Sequence, residues 1–392
     1  MSHVTGTATG HADLLDRLHA FLIVGHPLTP VYTYAAASLP GALTGLAGKA
    51  ASVQETITAT FSSATAFSVA GSITGSLGSG TTGTPFTSSV VDFTIPTGSP
   101  AWQSGDTVAF IMTLPWVAQR AVTGSEYIWK APGNDGAGAI YVGAREFNNV
   151  AADYYNWQLG GFTGYSAGVD FGQQPGSMAN STTLRSISMA LWNSSIPYWF
   201  VADGRSFEVI AKVSTVYEHG GAGLIDCYGS PGQFPYPLAV WGSMAFASEP
   251  ASTSASWRWS NTSVNHRAAP WGSGQATDLE ALRLKRLDGY WRGFNDGAYI
   301  TGVGSAWPFA NAQANDLRPA LDGSYQLIPI VLSEDQGAGT VNTYGELPRT
   351  AMVPGFGNGA ENTVTLADGM LWLVIQNIFR TTKTDYIAIR LT

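Results

Sequence analysis

The stretch YWFVADGRSFEVI, residues 198–210, decides the fold, because an apolar run meets Asp-Gly and a second apolar run follows at once. Asp203 and Gly204 suit the two positive-φ positions of a type I′ turn, whose twist matches that of paired strands, so the spacing predicts a β-hairpin. The same arrangement recurs at Asp288 (LRLKRLDGYWRGF, 282–294), Asp322 (PALDGSYQLIPIVL, 319–332) and Asp368 (TVTLADGMLWLVIQNI, 363–378). One such match is weak; together they predict one large antiparallel β domain with elaborate loops over residues 114–392. Their irregular intervals argue against a propeller or solenoid. Residues 278–287 (DLEALRLKRL) fit a short helix as well as a strand, and their apolar pattern does not choose.

Upstream the texture differs. In residues 11–24 (HADLLDRLHAFLIV), Leu14, Leu15, Leu18, Phe21 and Leu22 recur at the three-and-four spacing of one apolar stripe, which predicts a helix. Thr9 is placed to cap it, and Asp13 and Asp16 suit the positive end of its dipole. His11 and His19 are expected on the polar side as ordinary surface histidines. From about residue 50 to 113, short β-branched runs alternate with small residues (ETITATF, AFSVAGSITGSLGSG, VVDFTIPTG, DTVAFIMT), which predicts a separate small, sandwich-like β-domain inserted after an N-terminal helix and arm over residues 1–49. Residues 75–83 have linker composition but are flanked by strands, so an exposed loop or pleated crossing is expected. Only Glu55, Asp92 and Asp106 are charged between residues 52 and 113. Strand edges there are expected to be poorly protected unless something covers them.

Charge is scarce throughout. Asp, Glu, Lys and Arg make up 12% of the 392 residues, where soluble domains carry about 25%. Charged side chains are rarely buried, so the shortfall falls mostly on the surface. Protein interfaces lose Lys while keeping Arg, Tyr and Trp, and only 5 of the 19 basic residues here are Lys, beside 13 Trp and 16 Tyr. The expectation is an assembly subunit, with sister molecules covering the exterior. The net charge of −8 is spread without a basic block or acidic tail, which argues against nucleic acid as a partner. A single cysteine, Cys227, excludes an internal disulfide and a cysteine-based zinc site, and fits a small core or loop position. The opening residues lack a basic region followed by an apolar core, so no secretory signal is expected. The apolar run at residues 21–24 is far too short to span a bilayer.

Chemistry is hard to find. The sequence has no Gly-x-Ser-x-Gly elbow, phosphate loop, His-Glu-x-x-His or EF-hand pattern, and no cofactor or metal is expected. A glycosidase needs two carboxylates across a cleft, one raised in pKa by an apolar surrounding. Glu146, Asp153, Asp170, Glu208 and Glu218 sit amid aromatics and are the candidates, whereas Asp203 and the other turn aspartates have a structural use. Trp192 to Trp199 (WNSSIPYW) and Trp257 to Trp259 (WRW) are candidate sugar platforms, with core burial favoured for Trp199. Trp257 and Trp259 share one face of an extended strand, open to a core, protein-interface or glycan use. His219 and His266 are expected to be satisfied loop histidines.

Several phrases resemble virion structural proteins of tailed bacteriophages and their prophages, placed with tail or baseplate components. They are TATGHADLLDRLHAFL (7–22), IYVGAREFNNVAADYYNWQLGGFTGY (140–165), the run from LWNSSIPYWF to LAVWGSM (191–244), RPALDGSYQLIPIVL (318–332), YGELPRTAMVPGFGN (344–358) and QNIFRTTKTDYIAIRL (376–391). Modules similar to ETITATFSSATAFSVAGSITG (55–75) recur in phage tail proteins. The resemblance implies a place in a virion assembled in the host bacterial cytoplasm, and supplies no catalytic motif. Taken with the residues, it leads to expecting a mainly-β, non-enzymatic, homo-oligomeric tail subunit at the baseplate or tail tip. Its partners would be other virion proteins, and a host surface glycan is the alternative. Candidate interface or glycan-stacking residues are Trp257, Trp259, Leu14, Leu18 and Phe21.

Overall fold

The computed structural model describes residues 2–178, 186–229, 236–246, 260, 281–295, 304–307, 327–337, 340–353, 355, 357–366, 369–382 and 385–391. Strand makes up 53% of the described residues and helix 5%, so the mainly-β expectation holds. Four sheets are present among these residues, of fourteen, six, five and three strands. The largest begins at Ser2–Ala8 and runs through Ile196–Ala202, Ser206–Val213, Val216–Leu224 and Leu238–Gly242 to the C-terminal hairpin of Leu371–Gln376 and Tyr386–Arg390. Its pairings are antiparallel except for Trp291–Asn295 against Gly304–Trp307. The segment 282–285, ambiguous in sequence, is a strand paired to Leu238–Gly242 and Trp291–Asn295.

The hairpins expected at Asp203, Asp288 and Asp368 form, and the first two use a different turn. A type I′ turn needs positive φ at both central residues; here Gly289 (φ 84) and Gly369 (φ 85) are left-handed, while Asp203, Gly204 and Asp288 are not. At Asp288 the bonds Gly289 N–H to Arg286 O and Arg286 N–H to Tyr290 O, each 2.9 Å, enclose a three-residue loop closed by left-handed Gly289. At Asp203 the carboxylate itself makes the turn, as Oδ1 accepts from Arg205 N at 2.7 Å and Ser206 N at 3.0 Å. Asp322 and Asp368 lie outside the described residues.

The helix, His11–Leu22, buries Leu14, Leu15, Leu18 and Leu22 in a core shared with one face of the large sheet and with the six-stranded sheet. Phe21 is half-buried against the same core. Leu14 and Leu18 are therefore unavailable to a neighbour: the apolar stripe read as a docking face is covered by the chain's own strands. Gly10, not Thr9, is the N-cap, and Asp13 reaches back instead to accept from Thr9 N at 2.8 Å. The first helical N–H, of His11, bonds to Trp192 O. Neither histidine is an ordinary surface residue. His11 is buried with Nε2 2.6 Å from Glu146, and His19 stacks on Tyr127 while accepting from the Trp129 indole at 3.1 Å.

The opposite face of the large sheet carries a second core around Ile210, Trp241, Ile330, Leu347 and Ile389. Val216–Leu224 (VYEHGGAGL) is buried along its whole length between the two cores. A Cβ at Gly221 would sit 2.4 Å from the Trp241 ring, so the glycine is what makes room for that indole against the strand. His219, expected in a loop, is fully buried on this strand.

A third core, around Ile57, Phe61, Phe67, Phe93, Trp102 and Phe110, lies between the five- and three-stranded sheets. Both sheets draw on the segment read as an arm: Val31–Thr33 pairs with Thr107–Met112, and Thr44–Gly48 with Val91–Thr94. The glycine-rich stretch is the edge strand Gly75–Thr81, not a loop. The edges are managed by geometry in place of charge. Among the described residues, the edge strands Val31–Thr33, Pro85–Thr87, Met244–Phe246 and Thr363–Thr365 have three residues each, and Asp226–Cys227 has two. Thr44–Gly48, Gly75–Thr81 and Val117–Val122 are interrupted by register shifts. Shortness and bulging blunt an edge as well as lysine does, which corrects the expectation of unprotected edges and leaves Ser2–Ala8 as the long, regular one.

Candidate functional site

The main cleft among the described residues, about 730 Å³, opens where the five-stranded sheet faces the end of the large one. Its walls are apolar: Val31 and Ile111 on one side, Leu327, Pro329 and Trp372 on the other. Asp203, Asp226, Glu346, Arg349 and Arg390 supply the charged lining.

Arg349 is the structural centre of this lining. In Thr340–Met352 the pairing jumps from Glu346 to Ala351 while the partner strand advances only from Val331 to Pro329, so four residues bulge out against one. Arg349 within the bulge has φ 57, a left-handed conformation that a long side chain adopts at a cost. The bulge turns its guanidinium inward, with 6% of the side chain exposed, to Asp203 Oδ2 at 2.8 Å and Ser206 Oγ at 2.9 Å. Burial works against the Asp203 charge, but the Arg349 guanidinium and the two turn N–H groups outweigh it and hold the carboxyl below its ordinary pKa.

Glu208, five residues beyond Asp203, is fully buried on the second-core face. Burial pushes its carboxyl up to about 8, against the pull of Arg349, Thr350 and the Trp241 indole. Thr350 Oγ1 has one proton to share between Pro348 O at 2.9 Å and Glu208 Oε2 at 3.3 Å.

A serine, a histidine and an aspartate also meet nearby, without forming a catalytic triad. Ser2 Oγ is 2.5 Å from His26 Nδ1, and Asp203 acts on His26 through charge. Yet Ser2 and His26 are buried away from the cleft, and Asp203 directs its bonds to Arg349 and the turn. A triad needs the carboxylate on the second ring nitrogen and an accessible hydroxyl. Burial lowers His26 to about 3. Its backbone bonds Thr113 at both N–H and C=O, which pins the entry of the small unit to its exit.

The carboxylates singled out from sequence do not converge. Glu146 pairs with His11, Asp153 takes a left-handed turn conformation (φ 51), and Asp170 precedes the short helix Phe171–Gln173. Glu218 is buried on the face opposite Glu208, since it pairs with Ala211, three residues on from Glu208. None of the five lines the cleft. Trp192 and Trp199 are half-buried against the first and second cores respectively. Trp257, Trp259 and His266 lie outside the described residues. Cys227 is half-buried, its Sγ 2.8 Å from Gly229 O. No group of three or more His, Cys, Asp and Glu suited to a metal occurs among the described residues, and no helix there is long and apolar enough to cross a membrane.

Sequence reasoning missed Arg349, Asp226 and Glu346, which sit in phrases without motif or periodicity. What fold and cleft define is a mainly-β, multi-sheet protein with an apolar-walled cleft and an ionic floor. No family model matches the chain, and no curated protein matches it.

Proposed function

We propose that this chain is a non-enzymatic structural subunit of a tailed-bacteriophage tail, at the baseplate or tail tip, assembled in the host cytoplasm and working as an oligomer. The observation that carries the reading is how the exterior is built. Val31, Ile73, Val117, Val122, Val150, Leu287 and Tyr290 are each half or more exposed on a chain with little charge to keep such surface apart. Sister copies and other virion proteins that cover these side chains give the low charge a cause. The phrases resembling tail proteins supply the setting. Size-exclusion chromatography with light scattering tests it: a homo-oligomer that persists in 1 M salt is expected, and a monomer at high concentration would end it. Image reconstruction of the particle would place the subunit.

A second reading, recognition of a host glycan, is favoured by the exposed rings of Tyr228 and Tyr290. Selective binding on a glycan array, lost in Tyr290→Ala, would turn the conclusion that way.

A further inference from the structure

The described surface carries a pre-organised apolar projection at the Asp288 hairpin. Leu287 and Tyr290 stand 64% and 72% exposed on a four-residue tip. The tip is braced from beneath. Tyr290 N donates to Asp288 Oδ1 at 3.0 Å and Lys285 Nζ to Gly289 O at 2.7 Å. Arg286 contacts Asp288 and reaches buried Glu334 at 3.1 Å, and Arg292 meets the same carboxylate at 2.9 Å. Trp291, at the foot, bonds Gly176 O at 2.9 Å. A loop held this firmly loses little freedom when it binds, and an aromatic side chain on it is the anchor type that dominates interfaces.

The same chain offers a receiver. The cleft beside Arg349 has a volume in the range of pockets that enclose a ligand. Its rim exposes Val31 (66%) and Ile111 (42%) to water. Neither Leu287 nor Tyr290 lines the chain's own cleft. The charges are complementary. The cleft carries Asp203, Asp226 and Glu346 against Arg349 and Arg390, and the flank of the tip carries the partly exposed guanidinium groups of Arg286 and Arg292 on Asp288 and Glu334, over buried Lys285. Asp226 and Glu346 face each other in register, with Arg205 on Asp226 at 3.3 Å and the Tyr228 hydroxyl on Glu346.

We propose that the Leu287–Tyr290 tip of one copy seats in the Arg349 cleft of the next, with Tyr290 against the apolar walls and the basic side of the tip toward Asp226 and Glu346. This rests on the oligomeric reading above and specifies its contact. Projection and cleft are different surfaces, so the contact is head-to-tail and closes into a ring or continues as a stack.

The test uses the full chain and two variants altered at exposed positions: a tip variant, Leu287→Asp with Tyr290→Ala, and a rim variant, Val31→Lys with Ile111→Asp. Thermal melts confirm that both fold. Native mass spectrometry should show the oligomer for the wild type and monomer for each variant, with affinity weakened at least about tenfold. Mixing the variants should restore dimers and nothing larger, because only one intact tip and one intact cleft remain per pair. A wild-type oligomer matched by either variant, or a mixture that stays monomeric, overturns the contact while leaving assembly standing. A wild type that never assembles removes both. A disulfide formed between copies carrying Leu287→Cys and Ile111→Cys, on a Cys227→Ser background, would confirm the geometry; linkage of tip to tip would refute it.

Discussion

Glu208 and Arg349 show how much a single side chain decides here. Glu208 has a folded pKa near 8 against an ordinary 4.5. A carboxyl raised in this way contributes stability that is complete below about 4.5 and is lost as pH rises through about 8. Buried His26 and His219, held low, add stability as pH rises toward 6.5 and oppose this trend there; above that range wild-type stability should fall between pH 7 and 9 by about 1 kcal/mol, and Glu208→Gln should flatten that slope. Urea midpoints at the two pH values measure it, and an unchanged slope would place the proton elsewhere. Asp203 runs the other way. Its depressed pKa supplies stability present above 3.8 and lost as pH falls through the folded value. Arg349→Ala removes its partner and should cost about 3 kcal/mol. Arg349→Gly should cost about 1 kcal/mol less, because glycine relaxes the left-handed backbone. If glycine proves the worse variant in chemical unfolding, the φ of 57 carries no strain.

Among the elements, the helix His11–Leu22 was legible from its apolar spacing, while the use of its stripe was not. Periodicity marks which residues share a face and is silent on what covers that face. Leu18→Ala should lower the unfolding free energy by about 2–5 kcal/mol, as expected for a cavity in a shared core, and should do so in the isolated chain. A variant that melts like wild type but assembles poorly would restore the docking role. The hairpins teach the same lesson. Asp-Gly marked the reversals correctly, but loop length selected a three-residue turn at Asp288 and a side-chain turn at Asp203, so one dipeptide serves two geometries. The edge strands were misjudged because charge was the visible protection, whereas bulges and strand length appear only once pairing exists.

For the whole molecule, the two chain connections of the small unit are tied to each other. His26 and Thr113 are mutually hydrogen-bonded, Trp116 N donates to Leu22 O at 3.1 Å, and the core around Phe93 is formed within residues 57–112. Deleting residues 27–112 and joining the ends with a short glycine linker should leave a remainder that unfolds cooperatively, checked by circular dichroism. Its cleft would lose the Val31 and Ile111 wall, so assembly should fail. The boundary at residue 50 read from sequence would instead strand two β-segments without partners. Composition and local pattern alone determined the β class, the helix, the reversals and the scarcity of charge, because each is a property of neighbouring residues. Only tertiary structure decided the cleft, the inward turn of Arg349 and the neutral Glu208. Those depend on Asp203 meeting a residue 146 positions away, and on burial that no local pattern encodes.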